Sequence, residues 1–272
     1  MQSLELAWPV AAIEQSLAAV WPDAQVEVLP QVASSNTTLL DRARAGQTQP
    51  TLLVAERQTA GRGRMGRQWL SLQEAGGSLT FSLGVPLGQA NVAGLSLVVG
   101  YTLAQALDPN GVHRLRVKWP NDLWLAGRKL GGVLIEICSQ GTQRQAVIGV
   151  GINIRALPPL PEAAPGQASA QPPAWVQEFA PHATAPWVLE QIAAPLAQAV
   201  RQFIDHGFAP WQARFAERDA LQGQAVCLSD GSQGVARGIN AGGALRVQLA
   251  DGTLREVHSA DISLRPLDAA AH

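Results

Sequence analysis

The chain has 272 residues, 47% of them hydrophobic, which supports a sizeable core in one large domain with a small one appended. Its 20 basic and 21 acidic side chains leave a formal net charge of -1. That balance excludes a global bias towards nucleic acid or anionic membrane, so any positive field must be local.

Val10 to Val20 places Ile13, Leu17 and Val20 at helical spacing and stops at Trp21-Pro22; Gln25 to Leu29 alternates as a short strand. One helix falls short of the two joined by a tight turn that a DNA-binding helix-turn-helix needs. Ser34-Ser35-Asn36-Thr37-Thr38 then precedes a helical pattern. A helix cap uses one or two such groups. The surplus suggests hydrogen-bonding side chains for a polar ligand at a helix N-terminus.

The apolar run Thr51 to Ala55 reads as a strand and leads into Gln58-Thr59-Ala60-Gly61-Arg62-Gly63-Arg64-Met65-Gly66-Arg67-Gln68-Trp69. Glycines bring backbone N–H groups close to a ligand, and guanidinium groups bind carboxylate or phosphate oxygens in pairs. The stretch is an anion-binding loop, a solvated basic turn or a nucleic-acid patch; a Gly/Arg tract alone does not choose.

Gly77 to Val85 alternates as a half-buried strand, and Asn91 to Leu107 reads as an apolar helix stopped at Asp108-Pro109-Asn110-Gly111. Arg116 to Glu136 reads as three strands with turns at Pro120-Asn121-Asp122 and Ala126-Gly127, placing Lys118, Asn121, Asp122 and Lys129 at strand ends. Ordinary hairpin chemistry accounts for Asn, Asp and Gly there. Lys129, opening an interior strand, needs an anionic partner, since an unpaired buried charge is costly. Ala146 to Ile154 is an apolar strand whose Gly149-Val150-Gly151 lacks the third glycine and the helix of a dinucleotide site.

Leu157 to Pro173 is Pro/Ala-rich without periodicity, which reads as a surface loop or a partly mobile segment, with Trp175 at its end as an anchor. Leu189 to Phe203 and Phe208 to Leu221 read as helices. From Gln222 five short strands, at Ala225–Ser229, Gly234–Ile239, Ala244–Leu249, Thr253–His258 and Asp261–Leu264, form a small β-barrel, so the expected domains are 1–221 and 222–272. Cys138 and Cys227 sit singly in apolar runs, as small buried hydrophobes in a reducing compartment do. With no signal peptide and no apolar stretch near the roughly 20 residues of a membrane helix, a soluble cytoplasmic protein is expected.

Together, Ser34-Ser35-Asn36, Gln58 with Gly61-Arg62-Gly63-Arg64-Met65-Gly66-Arg67, Lys118-Trp119-Pro120-Asn121-Asp122, Lys129-Leu130-Gly131-Gly132 and Gly149-Val150-Gly151-Ile152-Asn153 resemble the bacterial biotin–protein ligases, from about Leu29 to Arg265. The resemblance implies an α+β fold: a mixed-sheet ligase domain with flanking helices, similar to class II synthetases, plus a C-terminal SH3-like β-barrel. It implies activation of biotin by ATP to biotinyl-5′-AMP, then transfer to a lysine of a biotin carboxyl carrier domain, with Mg²⁺ as cofactor. No protein nucleophile is needed, and no Ser/His or Cys/His pair stands out.

By the same resemblance, Ser34, Ser35, Asn36 and Gln58 hold biotin's ureido ring, and Gly61, Arg62 and Gly63 also bind biotin, the loop's backbone amides helping to hold carboxylate and phosphate. Arg62 and Arg64 hold carboxylate and phosphate, Arg67 the leaving pyrophosphate, and Lys129 the acyl-phosphate oxygens, Arg64 and Lys129 being the catalytic pair. Lys118, Asn121, Asp122, Asn153, Trp69 and Trp175 serve the nucleotide, with Asp122 the metal ligand and Trp175 stacking on adenine. The family's usual Ser-Thr-Asn is Ser34-Ser35-Asn36 here, which keeps the hydroxyl. The expected type is ligase-only, a monomer or weak homodimer that binds neither DNA nor membrane. The rival of the same fold is a lipoate or octanoate ligase, whose own Arg/Gly motif is not found.

Overall fold

The computed structural model describes residues 6–69, 72, 74–156, 172–258 and the backbone of 264–266. Helix α1 (Val10–Ala18) buries Ile13 and Leu17, one helical face, as their spacing requires. Strand β1 (Gln25–Leu29), helix α2 (Ser35–Arg44) and strand β2 (Thr51–Ala55) follow. β1 and β2 pair in parallel, so the chain between them must cross over the sheet, and α2 is that crossover.

Strands β3 (Ser78–Pro86), β4 (Arg116–Lys118), β5 (Asp122–Leu125), β6 (Arg128–Gln140) and β7 (Gln143–Asn153) join antiparallel to complete a mixed sheet ordered β1-β2-β3-β7-β6-β5-β4. Alternation sorts its side chains onto two faces. Leu52, Val54, Leu79, Phe81, Ile148 and Val150 join the main core with α1, α3 (Leu95–Leu107) and α4 (Ala185–His206). Leu53 and Val147 point the other way, into a small cluster with Leu39, Leu40 and Ala43 of α2. The α2 face is thus covered by apolar packing at one end, and polar and basic residues singled out in the sequence occupy the remainder.

Several boundaries differ from the sequence pattern, each for a local reason. β3 is buried at every position through Val85, not on one face only, because α2 also packs on it. The helix expected from Asn91 starts at Leu95, after Gly94 turns the chain at φ 86°. The one expected over Leu189–Phe203 is α4, extended to Ala185 because Thr184 caps it and Pro186 suits a first turn. Phe208–Leu221 divides into a 3₁₀ turn, Ala209–Trp211, and helix α5 (Gln212–Arg218).

β8 (Ala225–Leu228), β9 (Gln233–Ile239), β10 (Leu245–Leu249), β11 (Leu254–Val257) and β12 (Leu264–Pro266) form a second, antiparallel sheet ordered β11-β10-β9-β8-β12. Its last strand falls two residues beyond the expected end at Leu264, and 261–263 lie outside the described residues. So does 157–171 of the expected Pro/Ala-rich loop. Both cysteines are free thiols, Cys138 buried and Cys227 half-buried. Among the described residues no helix is long and apolar enough to cross a membrane.

The segment between the sheets is tied by buried charge. Arg218 donates to Asp108, the residue that ends α3, at 3.1 Å. Burial alone would raise the Asp108 carboxyl, but donation from the His113 and Leu115 amides and from Arg218 outweighs it and holds the group below its ordinary value. Asp219 is the opposite case. One oxygen accepts from the Leu221 amide at 2.8 Å, the other is buried without a partner among the described residues, and burial pushes the group up to about 6.

Since an unfolded Asp titrates near about 3.9, native Asp219 holds its proton more tightly. The stability this gives is full below about pH 4 and lost as pH rises through about 6. Asp219→Asn should therefore be more stable than the wild type at pH 7–8, by about 1–3 kcal/mol, with the gain shrinking towards zero at pH 4. Urea unfolding at both pH values checks this.

Candidate active site

The register of the sheet assembles the site. Thr80 of β3 pairs with Gly151 of β7, Gly151 with Gly132 of β6, Gly132 with Asp122 of β5, and Asp122 with Lys118 of β4. Directly paired residues share a face, so this row crosses the α2 face from a hydroxyl to a carboxylate and an ammonium. A parallel row runs Ser82, Gly149, Leu134.

Two glycines keep the middle of that face bare. A Cβ on Gly149 would lie 2.2 Å from Asn36 Oδ1, and one on Gly151 would lie 2.5 Å from the Trp69 ring. Absent side chains there let Asn36 and Trp69 lie against the strand. The Gly149-Val150-Gly151 run is thus a floor of the site. Above it is a cavity of about 150 Å³.

One end of the cavity is a neutral hydrogen-bonding network. Ser34 caps α2, accepting from the Thr37 amide, which places Ser35 and Asn36 in the first turn over the sheet. Gln58 Oε1 accepts from the Ser35 amide at 2.7 Å and lies 3.2 Å from Ser35 Oγ. Ser82 Oγ lies 2.7 Å from Ser35 Oγ and 2.6 Å from Asn36 Oδ1. Asn36 Nδ2 donates to Glu136 Oε2 at 2.9 Å, and Glu136 Oε1 pairs with Arg62 Nη2 at 3.0 Å.

The other end is cationic. The basic loop closes as a narrow ring, with Trp69 N–H donating to Gly61 O and Gly63 N–H to Arg67 O. Of its glycines only Gly66 has positive φ, 71°, beside the exposed Met65 at 55°. Arg64 Nη1 lies 3.5 Å from Asn121 Oδ1. Burial lowers the Arg64 pKa, with Asp122 opposing that effect and Arg67 adding to it. Lys129 Nζ bonds Asp122 at 2.7 Å and lies 5.8 Å from the Trp69 ring centroid. The lysine's partner is therefore a protein carboxylate, and the side chain is 44% exposed rather than interior.

Ser34, Ser35, Asn36, Gln58, Arg62 and Gly63 line the cavity, as do Arg64, Arg67, Trp69, Asn121, Asp122 and Lys129. Gly61 lies just behind, against Trp69 and Gln58. Lys118 is outside, its ammonium 4.8 Å from the Trp124 ring centroid. Asn153 is buried and donates to Ala174 O at 3.0 Å, while its own Oδ1 has no partner among the described residues. Trp175 also sits outside, beneath Arg128, whose guanidinium pairs with Glu178. Arg62 turns its guanidinium to Glu136, away from the cationic end.

Residues 28–153 match the biotin/lipoate A/B protein ligase family, and residues 223–265 match the biotin protein ligase C-terminal domain. The chain is 36% identical over 249 residues to the bifunctional ligase/repressor BirA of Escherichia coli, covering 88% of this chain and 74% of that one. It is 34% identical over 225 residues to the biotin–[acetyl-CoA-carboxylase] ligase of Paracoccus denitrificans, covering 80% of this chain and 92% of that one. In structure it is similar to the Aquifex aeolicus biotin protein ligase in complex with biotin and ATP, with a TM-score of 0.72, 26% identity, and coverage of 89% and 99% respectively.

The bare floor has a measurable consequence. Gly149→Ala should force Asn36 off the sheet and destabilise the protein by about 1–3 kcal/mol, the usual cost of overpacking, as read by chemical denaturation.

Proposed function

The chain belongs to the biotin protein ligase family, and on that premise we propose that it activates biotin with ATP and transfers it to a lysine of a carboxylase carrier domain. The observation that carries this reading is one cavity with a hydrogen-bonding end at Ser35, Asn36 and Gln58 and a cationic end at Arg64, Arg67 and Lys129. Biotin has matching ends, a cyclic urea and a carboxylate. A dithiolane or an alkyl chain would leave buried polar groups at the first end unpaired, which costs about 1–3 kcal/mol per group. That favours biotin over lipoate or octanoate.

In the first step a biotin carboxylate oxygen attacks the α-phosphorus of ATP. The bond to the β-phosphate bridging oxygen breaks, giving the mixed anhydride and pyrophosphate. Carboxylate and triphosphate repel one another, so the work of the site is to hold both against fixed cations. Arg64 and Lys129 take the reacting carboxylate and α-phosphate, and Arg67 the departing pyrophosphate. In the second step the carrier lysine's amine attacks the acyl carbon, the acyl C–O bond breaks, AMP leaves with the electron pair, and the amine proton passes to solvent. Ser34, Ser35, Asn36 and Gln58 hold the ring, with the backbone at Gly61, Arg62 and Gly63. Trp69, Lys118, Asn121, Asn153 and Trp175 belong to the nucleotide side.

Mg²⁺ fits the donor set. Among the described residues no group of three His, Cys, Asp or Glu gathers, and Asp122 is the one carboxylate lining the cavity. Mg²⁺ takes one or two carboxylates and completes its shell with phosphate oxygens and water. Asp122 would anchor it, and the ion would neutralise phosphate charge.

Pyrophosphate release that needs both biotin and ATP, followed by transfer of label to a carrier domain, tests the function. Release with lipoate and not biotin would overturn it. Arg64→Gly should hold the adenylate more weakly by about 1.5–3 kcal/mol, the worth of one charge-assisted contact, seen as faster escape of labelled biotinyl-5′-AMP. Lys129→Ala should abolish adenylate formation and keep the wild-type circular dichroism spectrum.

A further inference from the structure

We propose that Glu136 is a positioning residue that sets the hydrogen-bond polarity of the neutral end, so that Ser35 Oγ faces the ligand as an acceptor. This rests on the biotin reading above. Glu136 itself does not line the cavity. It acts through a chain of three side chains whose proton directions follow from what each can donate.

A carboxylate only accepts, so the Asn36 amide must turn Nδ2 towards Glu136, at 2.9 Å. The Leu134 carbonyl, 3.4 Å from the same nitrogen, also only accepts and agrees. Asn36 Oδ1 then faces Ser82, and because an amide oxygen has no proton, Ser82 must donate to it, at 2.6 Å. That spends the one proton Ser82 has. Ser35 Oγ now has two neighbours that accept from it, Ser82 Oγ at 2.7 Å and Gln58 Oε1 at 3.2 Å. Its proton is drawn into the network by either route, and what remains for the cavity is lone pairs.

A cyclic urea presents N–H donors beside its carbonyl. Gln58 is fixed independently, because its Oε1 accepts from the Ser35 backbone amide and leaves Nε2 as the donor. The pocket thus offers one acceptor and one donor, the complement of a urea edge. Removing the negative charge at 136 leaves only the long 3.4 Å contact to the Leu134 carbonyl to orient the Asn36 amide, which can then turn over. Ser82 then donates to Ser35, so the Ser35 proton loses one of its two acceptors in the network and can turn into the cavity against a ligand N–H.

The test compares biotin with two analogues that each replace one ureido N–H by CH₂, by equilibrium titration of the full chain. Glu136→Gln should weaken biotin about tenfold or more, about 1.4 kcal/mol, and shrink the ratio of biotin to analogue affinity. Ser82→Ala cuts the relay and should lower the same ratio, and Glu136→Gln should then add nothing to it in that background. If Glu136→Gln does not fold, the Ser82→Ala ratio carries the test: an unchanged ratio overturns the proposal. So does biotin binding within about twofold of wild type in Glu136→Gln, or equal weakening of biotin and both analogues, which is mere structural damage. A wild-type protein that binds no biotin overturns the biotin reading and this inference together, whereas normal wild-type binding with unaffected variants overturns this inference alone.

Discussion

The site depends on a stretch of sheet face that carries no side chains. An antiparallel sheet commonly packs one face on the core and leaves the other to water, and this sheet uses the second face for a site. In β7 the face towards the main core is filled by Ile148, Val150 and Ile152, which supply the packing. The opposite face is empty at 149 and 151, where added Cβ atoms would strike Asn36 and Trp69. Alternation with period two makes the division possible. One strand can be hydrophobic core and ligand floor at once, with the residues for each role interleaved.

Over that floor the charges are segregated. The whole chain is nearly neutral at -1, yet Arg64, Arg67 and Lys129 line one end of the cavity against one carboxylate among the described residues, Asp122. Burial of Arg64 lowers its pKa, which marks a guanidinium partly stripped of water and held by its surroundings. A cation so placed needs little reorganisation when an anion arrives, which is the condition for electrostatic catalysis. At the other end the carboxylate of Glu136 is balanced by Arg62, so the ligand meets oriented dipoles and no net charge. The same ion pair fastens the basic loop to β6, joining the two ends mechanically.

How much of this was legible in the sequence follows from locality. β1 and β2 match their expected bounds to the residue because their apolar runs are short and flanked by turn formers. The Ser34-Ser35-Asn36 surplus and the Lys118 to Lys129 hairpin were readable because polar residues crowded at element ends have no packing reason to be there. Ser82 and Glu136 were not. Ser82 is 0% exposed and looks like the polar partner in an ordinary alternating strand, and Glu136 looks like a surface position on β6. Their meaning comes from register across β3, β7 and β6, a long-range property that no local window contains. Arg62 illustrates the same limit, since its motif suggests an anion contact while its place in the fold offers it Glu136.

The second sheet enters the same argument through Trp119. That residue is 1% exposed, and its indole N–H donates to the Gly243 carbonyl, 3.1 Å away, in the turn before β10. Directly after it, the Pro120 carbonyl accepts from Ser96 of α3 at 2.9 Å, and Asn121 Nδ2 donates to Val133 O of β6 at 2.8 Å. The short turn that carries Asn121 and Asp122 is therefore held from three sides: the C-terminal sheet, the core helix and the neighbouring strand. A turn this brief has no core of its own, and a carboxylate that must hold a lysine 2.7 Å away cannot sit on a mobile one. The C-terminal sheet is thus a support for the side of the cavity that Asn121 and Asp122 line, and the Trp between Lys118 and Pro120 reaches it.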